Sequence, residues 1–250
     1  MYITTIVLKE IISLLKNLKY KYSEVQKSFH NQEPWINVLL LKYITLPLVF
    51  LMVNFTRITP NIISILSFTF GMLSAYFYFK NSLILGGVSY MLSYILDATD
   101  GKVARIKNIG KIYGAWFDIL VDRLNLLFIS SAISYNLFIL HDSIIFIILN
   151  FMFLGIAFIG WESRYNIDIY KLKNKINKIE KIKLSNYEKW CFDRGLIKDP
   201  ISLPEIFLFY FIFIPHLNFT ISLTCIIIII SLLIIRLIKQ QLFWVHESNR

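Results

Sequence analysis

Six apolar runs set the fold of this chain: about Ile62 to Tyr78, Leu83 to Thr99, Ala115 to Tyr135, Ile144 to Trp161, Glu205 to Pro215 and Phe219 to Ile238. A helix rises ~1.5 Å per residue, so runs of ~20 residues cross the ~30 Å hydrocarbon core, and a lipid-embedded backbone satisfies its hydrogen bonds only as a helix or a closed barrel. The expected fold is therefore all-α, a polytopic membrane protein with six transmembrane helices. A hydrophobic content of 56% and a mean hydropathy of +0.60 exclude an ordinary soluble domain. The fifth run is short for a straight crossing and is bracketed by Pro204 and Pro215.

The region before Thr59 reads differently. Ile3, Val7, Ile11, Leu14, Leu15 and Leu18 form one helical stripe, with Lys9, Lys16 and Lys19 off it, the pattern of an amphipathic helix on a membrane surface or on the protein's own cytosolic face. Lys9 and Glu10 interrupt any signal-peptide core, so this segment is expected to be retained. The stretch Ile36 to Asn54 contains Lys42 and Pro47. Were it to span, it would put the lysines before residue 35 on the side opposite Thr59, so it is assigned as a second interfacial helix. Residues 1–57 thus form an N-terminal interfacial unit and residues 58–250 the membrane domain.

The formal charge of +10 is concentrated beside the apolar runs. Residues 163–203 hold ten Lys or Arg against five Asp or Glu, whereas the connections near Asn81, His141 and Asn218 carry only Lys80. This asymmetry puts both termini, the basic loop and the end of the second span in the cytosol, with the chain in the cell membrane. It also gives the charge a membrane role, so no nucleic-acid partner is expected. Cys191 falls in the basic loop and Cys225 in an apolar run, which leaves them no common disulfide or metal site.

Between the second and third spans lies DATDGKVARIKNIGKIYGAWFDILVD, residues 97–122. Each Asp inside an apolar helix costs roughly 2.5 to 3.5 kcal/mol, so four of them mark a functional site. Asp97, Asp100, Gly101, Ala104 and Arg105 follow the i, i+3, i+4, i+7, i+8 pattern of one helix face, and Gly114, Asp118 and Asp122 are successive i+4 neighbours. A turn near Ile109 makes the two helices antiparallel and sets Asp100 beside Asp118 and Asp97 beside Asp122 in depth.

Carboxylate oxygens suit hard divalent ions such as Mg²⁺, and four Asp side chains can hold two of them. Two ions ~3.5–4 Å apart clamp a phosphoryl group. Gly101, Ala104 and Gly114 clear bulk from the same face, and Arg105 supplies a planar fork for phosphate. Helix packing in lipid is the plainer use of small residues, yet the combined set converges on phosphoryl transfer.

The stretch resembles the signature of the CDP-alcohol phosphotransferase family, Asp-x2-Asp-Gly-x2-Ala-Arg-x8-Gly-x3-Asp-x3-Asp, at every fixed position. Thr59-Pro60-Asn61 with Ser64 is similar to that family's approach to its first span. The resemblance implies transfer of a phosphate-bearing group from a CDP-alcohol to a hydroxyl acceptor with release of CMP, using Mg²⁺ or Mn²⁺ at the cytosolic leaflet, in a homodimer. Asp97, Asp100 and Asp118 would ligate metal. Asp122 would complete the second metal site and act as base. Gly101, Ala104, Arg105 and Gly114 would border the CDP moiety, and Arg164, past the fourth span, is the candidate for the acceptor.

CDP-diacylglycerol is the favoured donor, in phospholipid head-group synthesis; the alternative is a CDP-activated small alcohol passed to another acceptor. A divalent cation transporter is the rival from another class. Transport sites lie near the midplane, whereas Asp97 lies ~20 Å along a helix and in its cytosolic half, which favours an enzyme. Arg123 and Asn125 are expected as polar partners within the bundle, Arg123 tuning the neighbouring Asp122.

Overall fold

The computed structural model describes residues 18–29, 32–109, 112–173, 185–198 and 202–248. The surface helix expected over residues 3–18 lies almost entirely outside them. The described elements are α1 (Tyr22–Lys27), a π-helical turn (Asn37–Leu41), α2 (Lys42–Phe55), α3 (Pro60–Phe79), α4 (Leu83–Lys107), α5 (Ile112–His141), α6 (Ile145–Lys173), α7 (Asn186–Asp193), α8 (Leu203–Ile212), a 3₁₀ turn (Ile214–His216) and α9 (Phe219–Ser248). Among the described residues the sole β-type pairing is a parallel bridge between Glu33 and Leu196. The chain is an all-helical integral membrane protein.

Turn chemistry fixes the helix ends around the acidic motif. Thr59 is extended and Pro60 opens α3, where its locked φ suits a first helical residue and its missing N–H costs nothing. Asn108 closes α4 at φ 52°, and the Ile109 amide returns to the Ala104 carbonyl at 3.2 Å. Asparagine tolerates this left-handed C-terminal position better than other non-glycine residues.

The central helix is α3, and its interior face is a run of small residues: Ser64, Ser67, Gly71 and Ser74. In lipid the hydrophobic effect does not drive helices together, so close backbone approach and interhelical hydrogen bonds do, at ~0.6 kcal/mol per bond. Antiparallel α4 supplies the partners. Ser74 Oγ donates to the Gly86 carbonyl at 2.8 Å, Ser67 Oγ to that of Ser93 at 2.9 Å, and Ser93 Oγ to that of Ser67 at 2.8 Å. Parallel α5 approaches the other side, where the Asn125 amide lies against Gly71 and Asn61 against Gly114. Both motif helices pack on α3, yet they make little backbone contact with each other among the described residues.

The core proper lies between α5, α6, α8 and α9, with Phe153 and Tyr210 stacked at 4.6 Å and Ile129, Ile133 and Ile226 fully buried. A smaller core joins Leu46, Val49 and Val53 of α2 to Val25, Ile63 and Val103.

Five described helices are long and apolar enough to cross a membrane: Asn37–Phe55, Pro60–Phe79, Tyr113–His141, Ile145–Ile167 and Phe219–Leu242. Compared with the six expected spans, α4 is missing because Asp97, Asp100, Lys102, Arg105 and Lys107 charge its second half. The segment Leu203–His216 is shorter than a span. Asn37–Phe55 qualifies by length and composition, and its contacts with α4 lie along the second half of that helix, from Tyr94, which donates to Asn37, to Ile106.

One substitution tests the α3–α4 packing. A Cβ on Gly86 would lie 2.7 Å from Cε1 of Tyr78, whose hydroxyl donates to the Phe211 carbonyl and so anchors the ring. Gly86→Val is expected to cost ~1–3 kcal/mol by overpacking and to lower the thermal midpoint in detergent. Gly155→Ala, with nothing within 4 Å, leaves the midpoint unchanged or raises it.

Candidate metal and phosphate site

Asp97, Asp100 and Asp118 each place one carboxylate oxygen within 4.8 Å of the others. The Asp122 carboxylate lies beside that of Asp97, and the Asp118 carboxylate beside that of Asp100. The depth matching expected from the spacing is therefore observed, although the carboxylates meet across a gap between α4 and α5 rather than at a tight helix–helix contact.

The chemistry of this gap is that of a cation site. Two unit charges 4 Å apart at an effective dielectric of ~20 repel by ~4 kcal/mol, and three carboxylates carry three such pairs. Ser64 Oγ donates to Asp100 Oδ2 at 2.5 Å. Asp118 Oδ1 is buried without a hydrogen-bond partner. Converging carboxylates, a seryl donor that orients one of them and an unpartnered buried oxygen fit a hard divalent ion.

Two cavities flank the cluster. One, of about 240 Å³, is bordered by Asp100 and Asp118 together with Gly101, Ala104, Arg105 and Gly114, so all four small or basic motif positions surround one space. Asn61 and Ser64 of α3 complete its wall. The other, of about 260 Å³, is bordered by Asp97 and Asp122 and continues among Tyr90, Tyr94, Asn125 and Trp161. The acidic cluster is thus the partition between a pocket that holds Arg105 and the small motif residues and one whose wall carries aromatic rings.

Arg105 is held in a particular pose. Its Nε donates to the Ser28 carbonyl at 2.8 Å, and its Nη1 lies 3.5 Å from where a Cβ on Gly101 would be. The guanidinium folds back over the glycine, with its Nε–H committed to the N-terminal segment, and Arg105 borders the pocket.

Arg164 borders neither cavity. It lines a third, of about 260 Å³, with Arg236 and Gln240 of α9, and this space shares Trp161, Leu203 and Pro204 with the aromatic one. Arg123 lies over the Trp161 ring at 6.0 Å, and Asn125 lies against Gly71 with its amide 3.4 Å from Ser93 Oγ. Tyr94, Trp161 and Arg236 escape a motif search because each comes from a different helix and looks like an ordinary interfacial side chain in sequence. Periodicity on α9 would have shown only that Arg236 interrupts an apolar run.

Residues 57–187 match the family model described as CDP-alcohol phosphatidyltransferase. Over 68 residues, 27% of this chain, the sequence is 40% identical to the bifunctional IPC transferase and DIPP synthase of Aquifex aeolicus, covering 15% of that protein. Over a stretch of the same length it is 34% identical to the archaetidylinositol phosphate synthase of Pyrococcus horikoshii, covering 36% of it. The matched stretches are thus well under half the length of these relatives.

Metal binding is directly measurable. The purified chain should bind Mn²⁺ and quench its free electron paramagnetic resonance signal. Ser64→Ala, which removes an outer partner of Asp100, is expected to weaken binding ~10-fold, and Asp118→Asn more. Equal titration curves for all three proteins would contradict the site.

Proposed function

The chain belongs to the CDP-alcohol phosphatidyltransferase family, and from that premise we propose that it transfers a phosphate-bearing group from a CDP-alcohol to an alcohol acceptor and releases CMP. The observation that carries this reading is the partition: Asp100 and Asp118 face a pocket with Arg105, while Asp97 and Asp122 face a separate cavity. Donor and acceptor can then approach the reacting phosphorus from opposite sides, as an in-line displacement requires.

In this reading the CDP diphosphate occupies the pocket at Arg105, where Gly101, Ala104 and Gly114 let it approach the helices and the outer nitrogens of Arg105 meet its phosphate oxygens. Asp97, Asp100, Asp118 and Asp122 would hold two Mg²⁺ or Mn²⁺ ions, which supply charge neutralisation to the phosphoryl group when bound. The acceptor hydroxyl enters from the aromatic cavity and gives its proton to Asp122 as its oxygen bonds to the phosphorus that carries the donor alcohol. The bond from that phosphorus to the bridging oxygen breaks, and CMP leaves with the electron pair.

CDP-diacylglycerol or a comparable CDP-activated lipid is the proposed donor, because the site sits within a membrane bundle. Arg164 and Arg236, which line a cavity sharing Trp161, Leu203 and Pro204 with the aromatic one, suit an acceptor that itself bears a phosphate. The relative named archaetidylinositol phosphate synthase supports a phosphorylated polyol. We place the site and both termini in the cytosol on the charge pattern, with Asn37–Phe55 lying along the interface beside α4. The proposed assembly is a homodimer, on family analogy.

In membranes given labelled CDP-diacylglycerol and single acceptors, CMP release should need Mg²⁺ or Mn²⁺ and stop with EDTA. Asp122→Asn is expected to lower kcat ~10²–10⁴-fold while the purified variant still binds CDP. Metal-independent turnover or a wild-type rate in that variant would defeat the mechanism. Topology has its own test. A tag after Arg250 should be shielded from impermeant reagents in intact cells, and labelling from outside would reverse the assignment.

A further inference from the structure

The back of the motif helix carries a second set of charges that the transfer reaction does not use. On α4, Lys102 is about 140° around the axis from Asp97, away from the acidic face. It is buried, and its ammonium meets the Glu33 carboxylate at 3.6 Å, with side-chain exposures of 5% and 7%. The same ammonium donates to the Ala98 carbonyl at 2.8 Å and lies 4.5 Å above the Phe29 ring.

Glu33 is itself fixed from outside the bundle. Its amide donates to the Gly195 carbonyl at 2.9 Å, and its carbonyl accepts from the Ile197 amide at 3.1 Å. Next to it, Trp35 Nε1 donates to the Ile197 carbonyl at 3.0 Å and the Ile36 amide to Glu205 Oε1 at 3.1 Å. The segment after α7 therefore grips the N-terminal segment, and the polar contacts of the N-terminal segment on α4 include Glu33 on Lys102 and Ser28 on Nε of Arg105.

We propose that Glu33 is a positioning residue for the donor pocket: through its buried ion pair with Lys102 it holds the Ser28 carbonyl against Arg105, so that the guanidinium presents its outer nitrogens to the donor phosphate. This rests on the reading of that pocket as the CDP site. An ion pair here is costly to bury and gains little stability over an apolar pair of the same shape, so its use is orientation rather than adhesion. Cut loose, Arg105 keeps its charge and its place on the helix but loses the acceptor that orients its fork.

The test uses the full chain in detergent or nanodiscs, with CDP in the presence of Mg²⁺ as the probe. Glu33→Gln should weaken CDP binding at least fivefold and raise the donor KM by a similar factor with kcat within twofold, the signature of lost uniform binding. Lys102→Arg, which keeps the ion pair, should bind CDP within twofold of the unaltered chain. In an Arg105→Gln background, Glu33→Gln should cost no further affinity. If Glu33→Gln does not fold, the pair E33Q/K102M leaves no lone buried charge and should show the same loss of affinity. Unchanged CDP binding in Glu33→Gln or in the double variant, or additive losses with Arg105→Gln, overturn the inference alone. Failure of the unaltered chain to bind CDP overturns the donor reading and the inference together.

Discussion

Mutual repulsion among carboxylates in a poorly screened gap governs the architecture around the site. Asp97, Asp100 and Asp118 within 4.8 Å of one another would drive two free helices apart, and lipid offers no hydrophobic force to hold them. The resisting element is α3. It is bonded to α4 through Ser67, Ser74 and Ser93 and receives α5 at Gly71, so each acidic helix is fixed to a neutral one rather than to the other. The scarcity of backbone contact between α4 and α5 among the described residues then becomes a property of the site: the space between them is where cations fit.

The same division of labour runs outward along α4. Its front face carries Asp97, Asp100, Gly101 and Ala104, its flank Arg105, and its back Lys102. Each face meets a different partner: the gap, the Ser28 carbonyl, and Glu33. Rotation of α4 about its axis would disturb all three together. One helix turn of slippage would also move Asp100 away from Ser64 and from Asp118. The N-terminal segment thus belongs to the mechanics of the site although it lies outside the residues that carry the motif.

Sequence made the acidic cluster legible because helical periodicity is a local rule. Spacing alone put Asp97, Asp100, Gly101, Ala104 and Arg105 on one face and paired their depth with Asp118 and Asp122, and the structure gathers them as that spacing implies. It was silent where partners come from far along the chain. Nothing at Glu33 announces Lys102, since an isolated Glu in a polar loop has no period, and nothing ties Arg236 to Arg164 before α6 and α9 pack together. Span counting met a different limit. Hydropathy scores α4 as too charged to cross and Asn37–Phe55 as apolar enough, yet it is α4 whose first half is buried against α3 and α2 whose contacts stop halfway along it.

Charge placement also explains why the two cavities differ in character. In the proposed reading the pocket at Arg105 takes the CDP diphosphate, and its wall joins the small residues Gly101, Ala104 and Gly114 and one guanidinium to the carboxylates of Asp100 and Asp118. The cavity at Asp122 has the rings of Tyr90, Tyr94 and Trp161 in its wall beside Ser67, Ser93 and Asn125. If Asp122 is the base, as proposed, rings beside it would limit how freely it exchanges protons with solvent. An acceptor carrying its own phosphate would keep that charge away from Asp122 by leaving it at Arg164 and Arg236, beyond Trp161, and would bring only its hydroxyl to the acidic cluster. In that reading the aromatic cavity would act as a spacer between two anionic centres, and its length would decide which alcohols can bridge from the arginines to the proposed base.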